Sequence, residues 1–170
     1  MKTALEAIHN RRSIRRFTSQ PVDEKTVEEL LRAAMCAPSA RNMRPWHFVV
    51  LRDPGVREAV TRFHPYARML PQAQLGIAVC GARGEGEMAD YWVQDCSAAM
   101  ENLLLAAEAL GLGAVWLGVT PRPERVEGLS DLLGLPEGIQ PLGIAAIGYP
   151  AETKETGDRL DPARVHWDRW

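Results

Sequence analysis

The sequence predicts an α+β or mixed α/β layer fold in which one sheet is covered by helices. Three observations carry this expectation. Apolar runs at 46–51, 74–80, 113–118 and 141–147 read as buried strands. Segments between and before them place apolar residues at helical spacing, the longest from about Asp90 to Leu110. No internal repeat or linker interrupts the 170 residues, so a single domain spanning 1–170 is expected, with 151–170 as a C-terminal tail.

Each element has its own local cause. Thr3 is a plausible N-cap for a short helix to Asn10, with Leu5 and Ile8 on one face. Asp23 caps a second helix, Glu24 suits its first turn, and Val22 against Val27 forms a hydrophobic staple. Val27, Leu30, Leu31, Ala34 and Met35 recur along it, and Pro38 should stop it near Ala37. Asp53-Pro54 opens a third helix to about Phe63, which His64-Pro65-Tyr66-Ala67 breaks. The long helix is apolar over much of its circumference, which fits a domain spine or a subunit interface, and Gly111 fits its C′ position. A helix carrying Arg125, Val126, Leu129, Leu132 and Leu133 ends around Gly134. Gly81, Gly84 and Gly86 read as a loop and do not match the dinucleotide fingerprint, so a nicotinamide-binding Rossmann domain is not supported.

Composition narrows the function. With 46% apolar and 25% charged residues the chain is of globular type, and a net charge of −2 argues against a general nucleic-acid or membrane-surface binder. No apolar run approaches a membrane span and no signal-peptide core is evident, so a cytoplasmic protein is expected. The three cysteines include no C-x-x-C pair and the histidines show no paired ligand spacing, so no metal site is expected. The tail is polar until His166-Trp167-Asp168-Arg169-Trp170, whose tryptophans should dock on something, such as a second subunit.

Two stretches carry candidate chemistry. In Arg11-Arg12-Ser13-Ile14-Arg15-Arg16-Phe17, an extended backbone turns Arg11, Ser13 and Arg15 to one side and Arg12, Ile14 and Arg16 to the other. Two guanidinium forks flanking a hydroxyl suit a phosphate, while Ile14 and Phe17 offer apolar anchors. The second stretch, Pro38-Ser39-Ala40-Arg41-Asn42-Met43-Arg44-Pro45-Trp46, is a polar loop running into a strand. It reads equally as an ordinary connection or as a polar lip that holds specificity groups.

These blocks, together with Asp95 through Asn102 to Gly111-Leu112-Gly113 and Trp116-Leu117-Gly118, resemble the nitroreductase-like family of FMN-dependent oxidoreductases. The resemblance covers nearly the whole chain. The arginine stretch is similar to the family's R-R-S-x-R/K signature and the loop to its A-P-S-x-x-N-x-Q-P-W pattern. It implies a central mixed β-sheet covered by helices on both sides, an intertwined homodimer, and FMN at each of two subunit interfaces. Arg11, Arg12 and Ser13 would hold the ribityl-phosphate end and Arg15 the pyrimidine edge. Pro38, Ser39, Ala40, Asn42 and Arg44 would reach the flavin from the partner subunit. The backbone at Leu117 and Gly118 would approach N5, and Arg159 would add a phosphate contact from the tail.

The implied activity is NAD(P)H oxidation by alternate binding: NADH or NADPH reduces FMN, and a small-molecule acceptor such as a nitroaromatic or quinone takes the electrons. No side chain need be catalytic in the strict sense, because the flavin carries the chemistry. A reductive dehalogenase or flavin-consuming relative of the same fold, and a non-catalytic flavin-binding regulatory module, are the alternatives. Arg44 departs from the family pattern, standing where glutamine is common, and the chain lacks the longer insertions that cover the flavin in larger members. Tyr66, Tyr91 and Trp92 are therefore candidates for a lid, for core or for interface.

Overall fold

The first helix, α1 (Ala4–Asn10), begins with a complete capping box: the Thr3 side chain accepts from the Glu6 amide, and the Glu6 carboxylate accepts from the Thr3 amide. In this computed structural model, which describes residues 2–84, 86, 89 and 91–170, the order of elements is the one the sequence predicts. Helix α2 (Glu24–Met35) is capped by Asp23, whose carboxylate accepts from the Thr26 amide at 2.8 Å. It ends just short of the expected Ala37. Strand β1 (Trp46–Leu51) and helix α3 (Pro54–Val60) follow. The third helix stops before Phe63 because Arg62, Phe63 and His64 already turn on hydrogen bonds to Ala59 and Val60. Next come β2 (Leu75–Ala82), α4 (Tyr91–Ala109), β3 (Gly113–Gly118), α5 (Pro123–Leu133) and β4 (Ile139–Gly148). The expected helix start at Asp90 lies outside the described residues.

The sheet order is β1-β2-β4-β3, and neighbouring strands pair antiparallel. The parallel component is a single bridge at the free edge of β3, where Ser13 pairs with Ala114 and the Ile14 amide donates to the Ala114 carbonyl at 3.0 Å. Strand alternation divides the core into two layers. Leu75, Ile77, Val79, Ala145 and Ile147 pack with α2 and α4, whereas Ala78, Cys80, Val115, Leu117, Ile144 and Ala146 pack with α3 and α5. A bulge between Val79 and Cys80 shifts the register so that Cys80 faces Pro141, which accommodates proline inside the sheet. The same shift puts Leu142 in the layer of Ala145 and Ile147 rather than that of Ile144.

Two sequence expectations change. Gly81 belongs to β2 rather than to a loop, and a side chain there would strike Trp92 at 2.6 Å and Cys96 Sγ at 2.8 Å. The glycine is what lets α4 lie close on the sheet. Helix α4 is buried along one face, Trp92, Asp95, Cys96, Ala99, Met100, Leu103, Leu104 and Ala107, and its other side is half-buried except at exposed Tyr91 and Gln94. Within this chain it is a one-sided spine, and Trp92 is core rather than lid. Burial pushes the Cys80 and Cys96 thiols up to about 12, so both act as small hydrophobes. Among the described residues no helix is long and apolar enough to cross a membrane.

Candidate active site

The arginine stretch lies extended along the β3 edge, as the alternation predicts. Ile14 is buried against Gly113, where a Cβ would come within 2.7 Å of its side chain. The tail crosses this stretch as a strap. The Glu152 carboxylate accepts from the amides of Arg15 at 2.5 Å and Arg16 at 3.3 Å, and chiefly the Arg15 amide holds its carboxyl below the usual range. Lys154 Nζ donates to the Ser13 carbonyl at 2.6 Å, and Arg12 Nε donates to the Glu155 carbonyl at 3.0 Å.

The arginines differ in what they hold. Arg12 Nη1 also donates to the carbonyls of His9 at 2.9 Å and Arg11 at 2.7 Å, so much of this guanidinium braces its own chain. Arg11 Nε pairs with Glu101 of α4 at 3.4 Å. Arg159 is exposed, and the tail cation that reaches the stretch is Lys154.

Arg15 faces a different space. With Leu117 and Gly118 it lines a cavity of about 620 Å³ whose other walls include His64, Tyr66, Arg68, Met69, Trp116 and Arg125. This size suits a cofactor or small substrate. Among the described residues three arginines and no carboxylate line it, in a chain whose net charge is −2. At its edge Gly118 presents open space: a Cβ there would meet nothing within 4 Å. The backbone can thus be approached closely by a flat ligand.

Sequence reasoning treated His64 as a helix breaker and Arg125 as one member of a helical pattern, and it passed over Arg68. The connection from His64 to Ala73 is a run of turns rather than a surface loop. The Ala67 amide bonds to the His64 carbonyl, Leu70 to Ala67, and Ala73 to Leu70 and Met69. His64, Ala67, Leu70 and Ala73 are all buried, one in every three residues, which leaves Tyr66, Arg68 and Met69 to face the cavity. That spacing was a readable signal. Tyr66, one lid candidate, is 69% exposed on the cavity rim, whereas Tyr91 lines a separate pocket of about 160 Å³ beside Met43 and Asp95.

The Pro38–Arg44 loop is not brought to this cavity within the chain. Its backbone is nevertheless fixed. Ala40 donates to buried Asp95 at 2.9 Å, Arg44 donates its amide to Ser39 Oγ at 2.9 Å, and Arg44 Nε donates to Asn42 Oδ1 at 2.9 Å. Arg41, Asn42 and Arg44 take φ values of 48°, 56° and 49°, a left-handed backbone that costs non-glycine residues free energy and is characteristic of functional segments. Since an arginine can only donate, Asn42 Oδ1 is engaged and its amide NH₂ is the group left to offer outward.

The chain is similar to known proteins over nearly its whole length. The family model described as "Nitroreductase family" matches residues 8–74 and 64–149. A protein of Methanothermobacter thermautotrophicus, provisionally named an NADH dehydrogenase/NAD(P)H nitroreductase, is 46% identical over 166 residues, covering 98% of this chain and 87% of its own. A crystal structure of a protein of the same provisional name from Parabacteroides distasonis superposes with a TM-score of 0.94 at 39% identity, covering 100% of both chains. A provisionally named nitroreductase from Desulfovibrio desulfuricans, solved in complex with FMN, superposes with a TM-score of 0.83 at 32% identity over 100% of this chain and 99% of its own. By the family model over residues 8–149 and by a relative 46% identical over 98% of its length, the chain belongs to the nitroreductase family.

Proposed function

We propose that this protein is an FMN-dependent NAD(P)H oxidoreductase that works as a homodimer, reducing a nitroaromatic, quinone or related acceptor by alternate binding of donor and acceptor. The observation that carries the reading is the cavity edged by Gly118 whose described lining holds Arg15, Arg68 and Arg125 and no carboxylate. When bound there, FMN supplies the two-electron chemistry that no side chain of this chain can supply. Arg15, with Arg68 in the same lining, would offer positive charge to a flavin ring that gains negative charge on reduction. The open Gly118 position would let such a ring approach the backbone closely. Arg11 and Ser13, with Arg12 as brace, serve the phosphate end, and the exposed Arg159 is positioned in sequence to join them if the tail rearranges. The rim, open at Tyr66, admits nicotinamide and acceptor in turn.

Dimerisation accounts for features that have no partner inside one chain. The Pro38–Arg44 loop is shaped and held yet does not reach the Arg15–Gly118 cavity within its own chain, which suits a role at the partner's flavin. An apolar groove of about 330 Å³ runs between α1, α2 and α4, lined by Ala7, Ile8, Ala33, Leu105 and Ala106. Leu5, Met35, Trp167 and Trp170 stand exposed, the last completely. An apolar surface of this kind is expected to be covered in solution.

The test starts with the absorbance spectrum of the purified protein, followed by flavin release and identification, and then by NAD(P)H oxidation with a nitroaromatic or quinone. A flavin spectrum with turnover supports the reading; a yellow protein without turnover favours a binding module, and a colourless one that takes up no FMN removes both. The Arg11→Ala, Ser13→Ala double variant should lose FMN, because each charged hydrogen bond contributes about 1.5–3 kcal/mol. Sedimentation of the FMN-loaded protein should give a dimer, and a monomer contradicts the shared site.

A further inference from the structure

We propose that His64 and Arg125 are positioning residues which together clamp the Gly118 carbonyl and so fix the backbone that lies against the flavin. The inference rests on the proposed use of the cavity and names a further part of its machinery. Gly118 ends β3, and no side chain of its own restrains it. Beyond it the ladder changes character, since the amides of Val119 and Thr120 both bond to the Leu142 carbonyl at 3.1 Å. The carbonyl of Gly118 instead accepts from two side chains of different elements, His64 Nε2 at 2.9 Å and Arg125 Nη1 at 2.9 Å.

The chemistry of the clamp is specific. A carbonyl only accepts, so Nε2 carries the hydrogen and Nδ1 is the bare ring nitrogen. That Nδ1 is buried with no partner, as is Arg125 Nε. Two unsatisfied buried atoms are a poor outcome if the only task is to fill space, where leucine or methionine would serve better. Tyr66 completes the unit: its ring meets the His64 ring edge to face at 6.5 Å and lies 5.5 Å from the Arg125 guanidinium carbon. One carbonyl therefore ties the His64–Ala73 turns, β3 and α5 to the wall of the cavity, while the other side of Gly118 stays clear for a ligand.

The test compares the parent with His64→Gln, His64→Phe and Arg125→Met, each prepared free of flavin and titrated with FMN. The readouts are the dissociation constant, the visible band of bound flavin and its midpoint potential, with circular dichroism and urea midpoints as checks on folding. Glutamine can place its amide nitrogen near the Nε2 position, so H64Q should bind FMN within about threefold of the parent and keep its band and potential. H64F and R125M should bind about tenfold or more weakly, the loss expected for a charged or buried hydrogen bond, with a shifted band and potential. A folded H64F with the parent's affinity, band and potential overturns the clamp, as does an H64Q as impaired as H64F. Should H64F fail to fold, R125M decides on the same criteria. If the parent binds FMN and the variants match it, this inference alone falls; if the parent binds none, the proposed function falls with it.

Discussion

At the end of β3 the Gly118 carbonyl is held from two sides by buried or half-buried donors, and every group that fixes it belongs to the same chain. In the loop before β1 the backbone is equally fixed, by Asp95 and Ser39, yet Pro38, Arg41, Asn42, Met43 and Arg44 are exposed and none of them lines the cavity that Gly118 edges. The first region is a finished wall and the second a shaped half. The difference teaches how to separate residues that act within the subunit from residues that act on something beyond it. Strained φ values without a ligand-facing cavity mark the second kind; buried polar atoms spent on one carbonyl mark the first.

The comparison can be broken most forcefully at Gly143, which pairs with Gly118. A Cβ there would lie 2.4 Å from Trp116 Nε1 and 2.8 Å from the Leu117 carbonyl oxygen. Gly143→Ala should cost about 3 kcal/mol in urea unfolding, because the backbone oxygen cannot move aside as a side chain can. A change below about 0.5 kcal/mol would show that the wall is softer than its geometry implies.

The loop's anchor comes next. Asp95→Ala removes the acceptor of the Ala40 amide and should cost about 2 kcal/mol, with faster protease cleavage at residues 38–44. Unchanged cleavage would mean that the loop holds itself.

The His64 side of the wall predicts a pH effect of known sign. Burial chiefly, helped by the charge of Arg125 and opposed by the Gly118 hydrogen bond, lowers its pKa from the ordinary 6.5. The unfolded chain therefore takes up this proton first as pH falls below 6.5, and stability is lost from there down to the depressed folded value. The loss is at most about 1.4 kcal/mol per pH unit, and H64Q should remove that share of the acid slope. An identical slope in parent and H64Q would rule out His64 as its source.

The smallest effect is the sharpest. Gly118→Ala meets no neighbour, so the flavin-free protein should keep its stability within about 0.5 kcal/mol. FMN retention should nonetheless fall, since the new methyl occupies the ligand's side of the backbone. Loss of stability without loss of retention would reverse the assignment.

Much of this was readable in advance because the signals were local. Asp23, Asp53 and Thr3 cap the helices they were expected to cap, and the Gly113–Gly118 run is a strand of those bounds. The left-handed glycine at Gly134 ends α5 as its position suggests. What escaped was non-local. Pro141 sits inside β4 because a bulge at Leu142 of the same strand shifts its pairing, which only the register with β2 reveals. His64 looked like punctuation because its helix ends there; its role comes from a three-residue burial rhythm and from the Gly118 carbonyl 54 positions along the chain. Arg125 reads from sequence as one member of a helical pattern, and its role likewise rests on the Gly118 carbonyl in another element.

The strap of Glu152, Lys154 and Glu155 over Arg12–Arg16 joins segments 137 to 143 residues apart in sequence. Closing so long a loop costs conformational entropy that no local contact offsets. The arginine stretch therefore becomes fixed only once the sheet edge beneath it has formed, and its order is borrowed from the rest of the fold.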